Sequence, residues 1–207
     1  LKGDLQDLEQ AGVDVVFTPT EQEMYPEADN RKFDFGGLDQ VMEGRHRPGH
    51  FDGVARIVTK LFDVVMPHRA YFGEKDFQQL AIIRHLNRQL NYNADVVGCP
   101  IIRESDGLAK SSRNARLTDE QRKQAASISQ ALFEAGDHAG RFTPDQIREQ
   151  VISRLNKKPQ IDVEYFEIVD EKTLMPIQQW NEGGDKRACI AAWVGEVRLI
   201  DNVKISF

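Results

Sequence analysis

Cysteine is nearly absent from this chain of 207 residues: there are two, Cys99 and Cys189, far apart and in apolar surroundings. That excludes a disulfide framework and a CxxC metal knuckle, and it reads as two reduced core residues of a cytoplasmic protein. Metal-ligand spacings are missing too. There is no HxH or HExxH, and His46 and His50 are split by Pro48-Gly49, so they do not share a helix face. A metal site built from protein ligands alone is therefore not expected. No apolar run is long enough to span a bilayer, and no signal-peptide pattern opens the chain. The strings GxSxG, GxxxxGK[ST] and GxGxxG are absent, which removes the common local nucleotide signatures without excluding nucleotide binding. Positive charge is in deficit, with a net charge of −6. A broad nucleic-acid or membrane footprint is disfavoured, although a local basic pocket is not.

What is present is an ordinary globular composition, 40% hydrophobic and 29% charged, with enough chain for one large or two small domains. Residues 1–11 read as an amphipathic helix closed by Gly12. Because Leu1 is not a methionine and the helix is already under way, the expectation is a chain that starts in mid-domain. Val13-Asp14-Val15-Val16-Phe17 reads as a buried parallel strand. Residues 27–40 are loop or edge structure, and 41–50 form a loop dense in basic residues. The stripe Phe51, Val54, Ile57, Val58, Leu61, Phe62 and Val65 predicts a strongly amphipathic helix. A strand at 69–72, a helix over 76–91 and an apolar run from Ala94 to Ile102 complete a strand–helix alternation that argues for a parallel sheet. After Arg103 the pattern changes. Capping signals at Thr118 and at Thr143-Pro144 open two helices, 161–165 alternates as a strand, and Cys189–Val194 with Val197–Asn202 reads as a hairpin about Gly195-Glu196. The predicted class is α/β, with a Rossmann-like parallel-sheet domain over 1–102 and a small domain with an antiparallel sheet over 103–207.

Three segments stand out. In Phe72-Gly73-Glu74-Lys75-Asp76-Phe77-Gln78-Gln79-Leu80, a strand runs through a glycine into a helix start, which makes an anion site of free N–H groups. Lys75 in the first turn opposes the helix dipole unless an anion lies between them, and Gln79 offers a donor and an acceptor one turn on. In Leu108-Ala109-Lys110-Ser111-Ser112-Arg113-Asn114, two hydroxyls beside two cations suit triphosphate oxygens. In Met42-Glu43-Gly44 through Arg47-Pro48-Gly49-His50-Phe51, Glu43, Arg45 and Arg47 suit a polar substrate wall. Singly, each segment has a plain alternative: a solvated turn or a hydrophilic loop.

In combination and in this order, MEGRHRPGHFDGV, FGEKDFQQL and DGLAKSSRN resemble the pantothenate synthetase (pantoate–β-alanine ligase) family, and the tail Arg198-Leu199-Ile200-Asp201-Asn202 fits it. The resemblance implies a nucleotidyltransferase related to class I aminoacyl-tRNA synthetases, with SSRN standing where those enzymes carry KMSKS. It implies ATP and Mg²⁺, attack of pantoate on the α-phosphate, and displacement of AMP from pantoyl adenylate by β-alanine. Carried over by motif, Lys75 contacts the ATP phosphates and Gly73 and Asp76 hold the ribose. Ile102 and Lys110 border the nucleotide, while Ser111, Ser112 and Arg113 grip the β- and γ-phosphates as part of the catalytic set. Gln79 binds pantoate, Glu43 and Arg47 border the acyl pocket, and Asp4 lies near the Mg²⁺. Lys110 departs from the apolar residue expected before the serines. The family's PTMGxLHxGH segment does not occur in the sequence, so this chain alone is expected to be inactive. The resemblance further implies a homodimer in the cytoplasm. Two rivals share these features: another adenylate-forming enzyme of the superfamily, and a non-catalytic nucleotide-binding module without the histidines.

Overall fold

The computed structural model describes residues 1–206. The chain divides into two compact units, residues 1–32 and residues from 33 onward. The first unit holds helix α1 (Lys2–Gln10) and the single turn α2 (Glu21–Met24). A capping box between Thr20 and Glu23 closes the start of α2. The expected strand over 13–17 does not form. No ladder pairs it, and Val15 is 81% and Phe17 50% exposed. An apolar run becomes a strand only when a neighbouring strand takes its N–H and C=O groups; here the Val13 N–H goes to the Leu8 carbonyl of α1 and no described strand pairs with the rest. The apolar stripe of α1 is uncovered as well, since none of its residues is buried.

The second unit begins with the short helix α3 (Met42–His46), in a stretch expected to be loop, and α4 (His50–Val65). Strand β1 (Arg69–Gly73) passes through a 3₁₀ turn, Glu74–Asp76, into α5 (Phe77–Gln89), and β2 (Asp95–Cys99) returns parallel to β1 with Arg69 opposite Asp95 and Gly73 opposite Cys99. Phe77, Leu80, Ile83 and Leu86, the stripe read from the sequence, are all buried. Then follow a 3₁₀ turn at Ser112–Arg116, α6 (Asp119–Asp137), α7 (Pro144–Asn156) and three antiparallel strands, β3 (Ile161–Asp170), β4 (Lys186–Val194) and β5 (Val197–Ile205), in the order β3-β4-β5. Both expected helix starts carry complete capping boxes, Thr118 with Gln121 and Thr143 with Gln146. The β4–β5 turn is two residues long with Gly195 at positive φ, as a hairpin with glycine at its first turn position requires.

The antiparallel sheet is covered on both faces, and this positions the site. Phe166, Ile168, Ala188, Ile190, Ala192 and Val194 pack with Leu132, Ile147 and Leu155 of α6 and α7. Their strand neighbours Tyr165, Val169, Cys189 and Ala191 point the other way, onto Phe35, Phe51, Phe77 and Leu86. Along β4 the period of two is intact, but both faces are apolar, so 188–194 reads as an unbroken hydrophobic run; β3 shifts register between Val163 and Tyr165. Parallel pairing gives way to antiparallel pairing near residue 103, and the second of these clusters contains residues from both sides of that point.

Two glycines give opposite expectations. A Cβ on Gly44 would lie 2.0 Å from the Asp39 carbonyl oxygen, whereas one on Gly53, in mid-α4, meets nothing within 4 Å. Gly44→Ala should lower stability by about 3 kcal/mol through backbone displacement. Gly53→Ala should raise it by roughly 0.5–1 kcal/mol. Denaturant midpoints of the two variants measure both.

Candidate functional site

A cleft opens where α3, the start of α4 and the Glu74–Asp76 turn meet β3–β5. It is lined by Glu43, Arg47, His50, Lys75, Asp76 and Gln79, with Tyr165, Cys189, Asp201 and Asn202 behind them. Five residues singled out in the sequence (Glu43, Arg47, Lys75, Asp76 and Gln79) are thus gathered in one place. Ile102, Lys110, Ser111 and Ser112 line a separate open depression with Arg103, Glu104 and Ser105. The two surfaces are joined where the Lys75 ammonium donates to the Lys110 carbonyl at 3.3 Å, and where Arg103 reaches Asp201. Arg113 turns from the depression toward β5 and donates to the Arg198 carbonyl at 3.1 Å, while its own N–H is accepted by Ser111 Oγ at 3.2 Å. Gly73 lies outside the cleft lining, at the end of β1. It has φ −69°, and a Cβ there would meet nothing, so no contact inside the protein calls for glycine. Asp4 belongs to the first unit; its exposed carboxylate pairs with the amino terminus at 3.0 Å. Among the described residues no three His, Cys, Asp or Glu side chains gather as a metal site would need.

Lys75 sits in the 3₁₀ turn rather than in the first turn of α5. The carbonyls of Glu74 and Lys75 accept from the Asn202 amide at 2.9 and 3.0 Å, and the α-helix starts only at Phe77. Asn202 Oδ1 in turn accepts from buried Arg187 at 2.7 Å, and Arg187 stacks over the Phe77 ring at 4.2 Å. Burial lowers the Lys75 pKa, and Arg113 lowers it further against the pull of Asp76 and Asp201. Gln78 is buried and spent on structure. It accepts from the Glu43 N–H and donates to the Leu38 and Val41 carbonyls. Gln79 has no such partner among the described residues and faces the cleft.

Glu43 is 8% exposed and its carboxylate is saturated. It accepts from Arg198 at 2.7 and 2.9 Å, from the Tyr165 hydroxyl at 2.9 Å and from Arg47 at 3.3 Å. Burial alone would raise its pKa, but the hydrogen bonds and charge of Arg198, with Tyr165 and Arg47, outweigh that and hold it low. Burial and the Glu43 charge push the Tyr165 phenol well above its usual range. Arg198 also binds Glu164, which accepts from the Trp193 indole at 3.3 Å and has His46 at 3.8 Å. Buried Cys189 is pushed up to about 12, so its thiol is not a nucleophile. On the depression's side, Arg103 makes a bidentate pair with Asp201 at 2.7 and 3.0 Å, and buried Asn114 fixes the end of the Ser111–Arg113 loop by donating to Glu104 and Ala109.

Sequence reading missed Tyr165, Arg187, Arg198, Asp201 and Asn202 as parts of this site. The string Arg198–Asn202 carries a family resemblance, but its partners Glu43, Glu74 and Arg103 lie 155, 128 and 98 residues away, and no local signal connects them. It also missed Gln78 and Asn114, whose buried amides look like surface polarity in a linear chain.

Fold and cleft together describe an α/β protein that presents a lysine, arginines and hydroxyls around the end of a parallel strand. The family model described as pantoate-beta-alanine ligase matches residues 1–204. The chain is 52% identical over 204 residues to a pantothenate synthetase of Bacteroides fragilis strain YCH46, covering 99% of this chain and 72% of that protein. It is 45% identical over 206 residues to the one from Cytophaga hutchinsonii, with 99% and 73% covered. The crystal structure of the Thermus thermophilus pantothenate synthetase superposes with a TM-score of 0.91 at 41% identity, over 100% of this chain and 75% of that one. The Francisella tularensis pantoate-beta-alanine ligase, complexed with β-γ ATP and β-alanine, superposes with a TM-score of 0.76 at 30% identity, over 98% and 69%. The chain therefore belongs to the pantoate–β-alanine ligase family.

The saturation of Glu43 has a pH consequence. Its folded pKa lies below the unfolded value, so its contribution to stability is present above the unfolded pKa and is lost as pH falls through the folded one. Glu43→Gln should lower stability at pH 7 by about 3 kcal/mol, because buried Arg198 loses one of its two charged partners. The same variant should show a shallower acid limb than the parent. Unfolding free energies measured from pH 7 to pH 3 test this, and parallel acid limbs would count against it.

Proposed function

We propose that this chain is part of an enzyme that carries out the ATP-dependent condensation of pantoate with β-alanine to pantothenate, through pantoyl adenylate, with release of pyrophosphate and AMP. The observation that carries the reading is the Lys75–Lys110 bond, which puts the lysine of the GEKD segment against the SSRN loop. The two segments lie 35 residues apart, and a nucleotide triphosphate is a ligand that needs both. The Francisella relative, with its ATP analogue and β-alanine, supports the same substrates.

Lys75 would stabilise charge on the transferring α-phosphorus, exchanging its carbonyl partner for phosphate oxygen. Ser111, Ser112 and Arg113 would hold the β- and γ-phosphates and the departing pyrophosphate. Gly73, with open space at its Cβ position, would let the ribose approach the backbone beside Asp76. Ile102, 66% exposed, and Lys110 would flank the base. Gln79 would bind pantoate, with Arg47 at the rim of the acyl pocket and Glu43 orienting Arg47 rather than touching substrate. Both chemical steps rest on positioning and charge neutralisation, with no protein nucleophile. Mg²⁺ would arrive on the triphosphate, and no step is routed through Asp4. We read the protein as a cytoplasmic homodimer, in keeping with its family and its unpaired thiols; no helix among the described residues is long and apolar enough to cross a membrane.

Lys75→Ala should slow ATP-dependent AMP release by at least about 100-fold, the usual worth of a charge stabiliser at a reacting phosphoryl group. Gln79→Ala should chiefly raise the KM for pantoate. Near-parent kinetics in both variants would remove these residues from the site. Amide exchange offers a second test. Ser111–Arg113 should gain protection when ATP binds, because the exposed loop trades solvent and carbonyl contacts for phosphate; unchanged exchange would exclude a closing role.

A further inference from the structure

We propose that His50 is the general base that takes a proton from the β-alanine ammonium, and that Arg47 holds the carboxylate of the same molecule. The inference rests on the ligase reading and adds to it a site for the second substrate.

His50 is the first residue of α4, behind Gly49 in the left-handed conformation at φ 79°. That turn folds the imidazole back toward Arg47, and both side chains line the cleft beside Lys75, Asp76 and Gln79. Arg47 Nη1 lies 3.2 Å from His50 Nε2. A guanidinium has only donors, so Nε2 must be the acceptor: the imidazole is neutral and carries its proton on Nδ1. The charged groups facing the ring are Arg47, Arg198, Glu43 and Asp76. Burial, Arg47 and Arg198 disfavour the imidazolium, and they outweigh the two carboxylates, so His50 titrates below its ordinary range. A neutral imidazole in a substrate cleft is a base in waiting.

The other cleft residues do not compete for this role. Lys75 and Arg47 are cations, Glu43 has all its lone pairs engaged, and Gln79 does not titrate. Asp76 is a carboxylate, too weak a base for an ammonium when an imidazole is at hand.

Arg47 has donors to spare. Arg198 meets the Glu43 charge with two short bonds, while Arg47 touches one Glu43 oxygen at 3.3 Å. Its Nε and Nη2 have no acceptor among the described residues, and a planar fork of that kind suits a carboxylate. β-Alanine carries a carboxylate and an ammonium two methylenes apart. With the carboxylate on the Arg47 fork, Nη1 is drawn off the imidazole and the Nε2 lone pair is released to the ammonium. The substrate thus uncovers its own base.

The step balances as follows. His50 Nε2 accepts one ammonium proton, leaving a neutral amine. The amine nitrogen forms a bond to the acyl carbon of pantoyl adenylate, and the bond from that carbon to the phosphate oxygen breaks. AMP departs with the bonding electron pair. The second nitrogen proton goes to the departing phosphate or to water, and His50 returns its proton to solvent.

The first test does not need turnover. In the chain labelled with ¹⁵N-histidine, long-range ¹H–¹⁵N spectra at pH 7 should show His50 protonated at Nδ1 and bare at Nε2. Saturating β-alanine should move the Nε2 resonance, and Arg47→Gln should abolish that movement while the other histidine signals stay in place. A protonated Nε2, or a His50 resonance that β-alanine leaves unmoved while ATP still binds, overturns the proposal and spares the ligase reading. Failure of ATP to bind as well overturns both. The second test separates a base from a structural residue. In His50→Gln, AMP release from pantoyl adenylate should fall on the order of 100-fold with β-alanine as nucleophile. With hydroxylamine, an amine already neutral at pH 7, the rate should barely change. Equal losses with both nucleophiles would overturn the role of His50 as a base.

Discussion

Arg198 of β5 reaches Glu43 of α3 with two hydrogen bonds and Glu164 of β3 with others, and the rest of the site hangs on that junction. Arg198 and Glu43 are almost wholly buried, with side chains 11% and 10% exposed, and Tyr165 supplies a further donor. A buried ion pair of this kind contributes little net stability over a hydrophobic substitute, because both charges lose their water. What it contributes is register. A carboxylate with four donors around it permits one placement of α3 against the antiparallel sheet. Arg47 and His50, four and seven residues further on, inherit that placement.

A second junction does the same for the phosphate side. Asn202 holds the Glu74 and Lys75 carbonyls, Arg187 holds Asn202 and Glu74, and Asp201 holds Arg103. Three residues of β5 thus serve three segments: Arg198 orders the basic stretch, Asp201 the start of the SSRN loop, and Asn202 the lysine turn. The sheet is rigid because both of its faces are packed, and polar groups at its edge convert that rigidity into side-chain positions. The Ser111–Arg113 loop differs in kind. It is fastened at buried Asn114, but Arg113 rests on the Arg198 carbonyl and Lys75 on that of Lys110, weak partners that a phosphate can replace.

Much of the fold is legible in the sequence. The stripe at 77–86 gives a helix with the expected buried face, the stripe at 51–65 gives a helix that buries Phe51 and Phe62 but leaves Val65 exposed, capping boxes at Thr118 and Thr143 start α6 and α7, and the Gly195-Glu196 hairpin forms with that turn. These features are local: a 3.6-residue period, a cap or a turn acts within a few residues, and tertiary context had only to agree. Where context is decisive the reading fails. Val13–Phe17 has the composition of a buried strand and is exposed, because pairing requires a neighbour that composition cannot supply. Met42–His46 reads as loop, yet it is a short helix whose first N–H groups and neighbouring carbonyls are organised by Gln78 from α5.

The same division runs through the site. Residue chemistry by itself determined which groups could serve: a lysine after a strand and glycine, two serines beside an arginine, a glutamate and arginines ahead of a long helix, and the motif order that marks the family. Those are properties of short strings, and they survive in one dimension. Tertiary structure alone decided which groups are free to act. Glu43 and Gln78 are committed to internal partners, Gln79 and the outer donors of Arg47 remain available, and His50 receives a donor that keeps it neutral. Availability depends on what lies within hydrogen-bonding reach, and the partners that fix Glu43, and through it Arg47 and His50, come from β3 and β5, more than a hundred residues away along the chain.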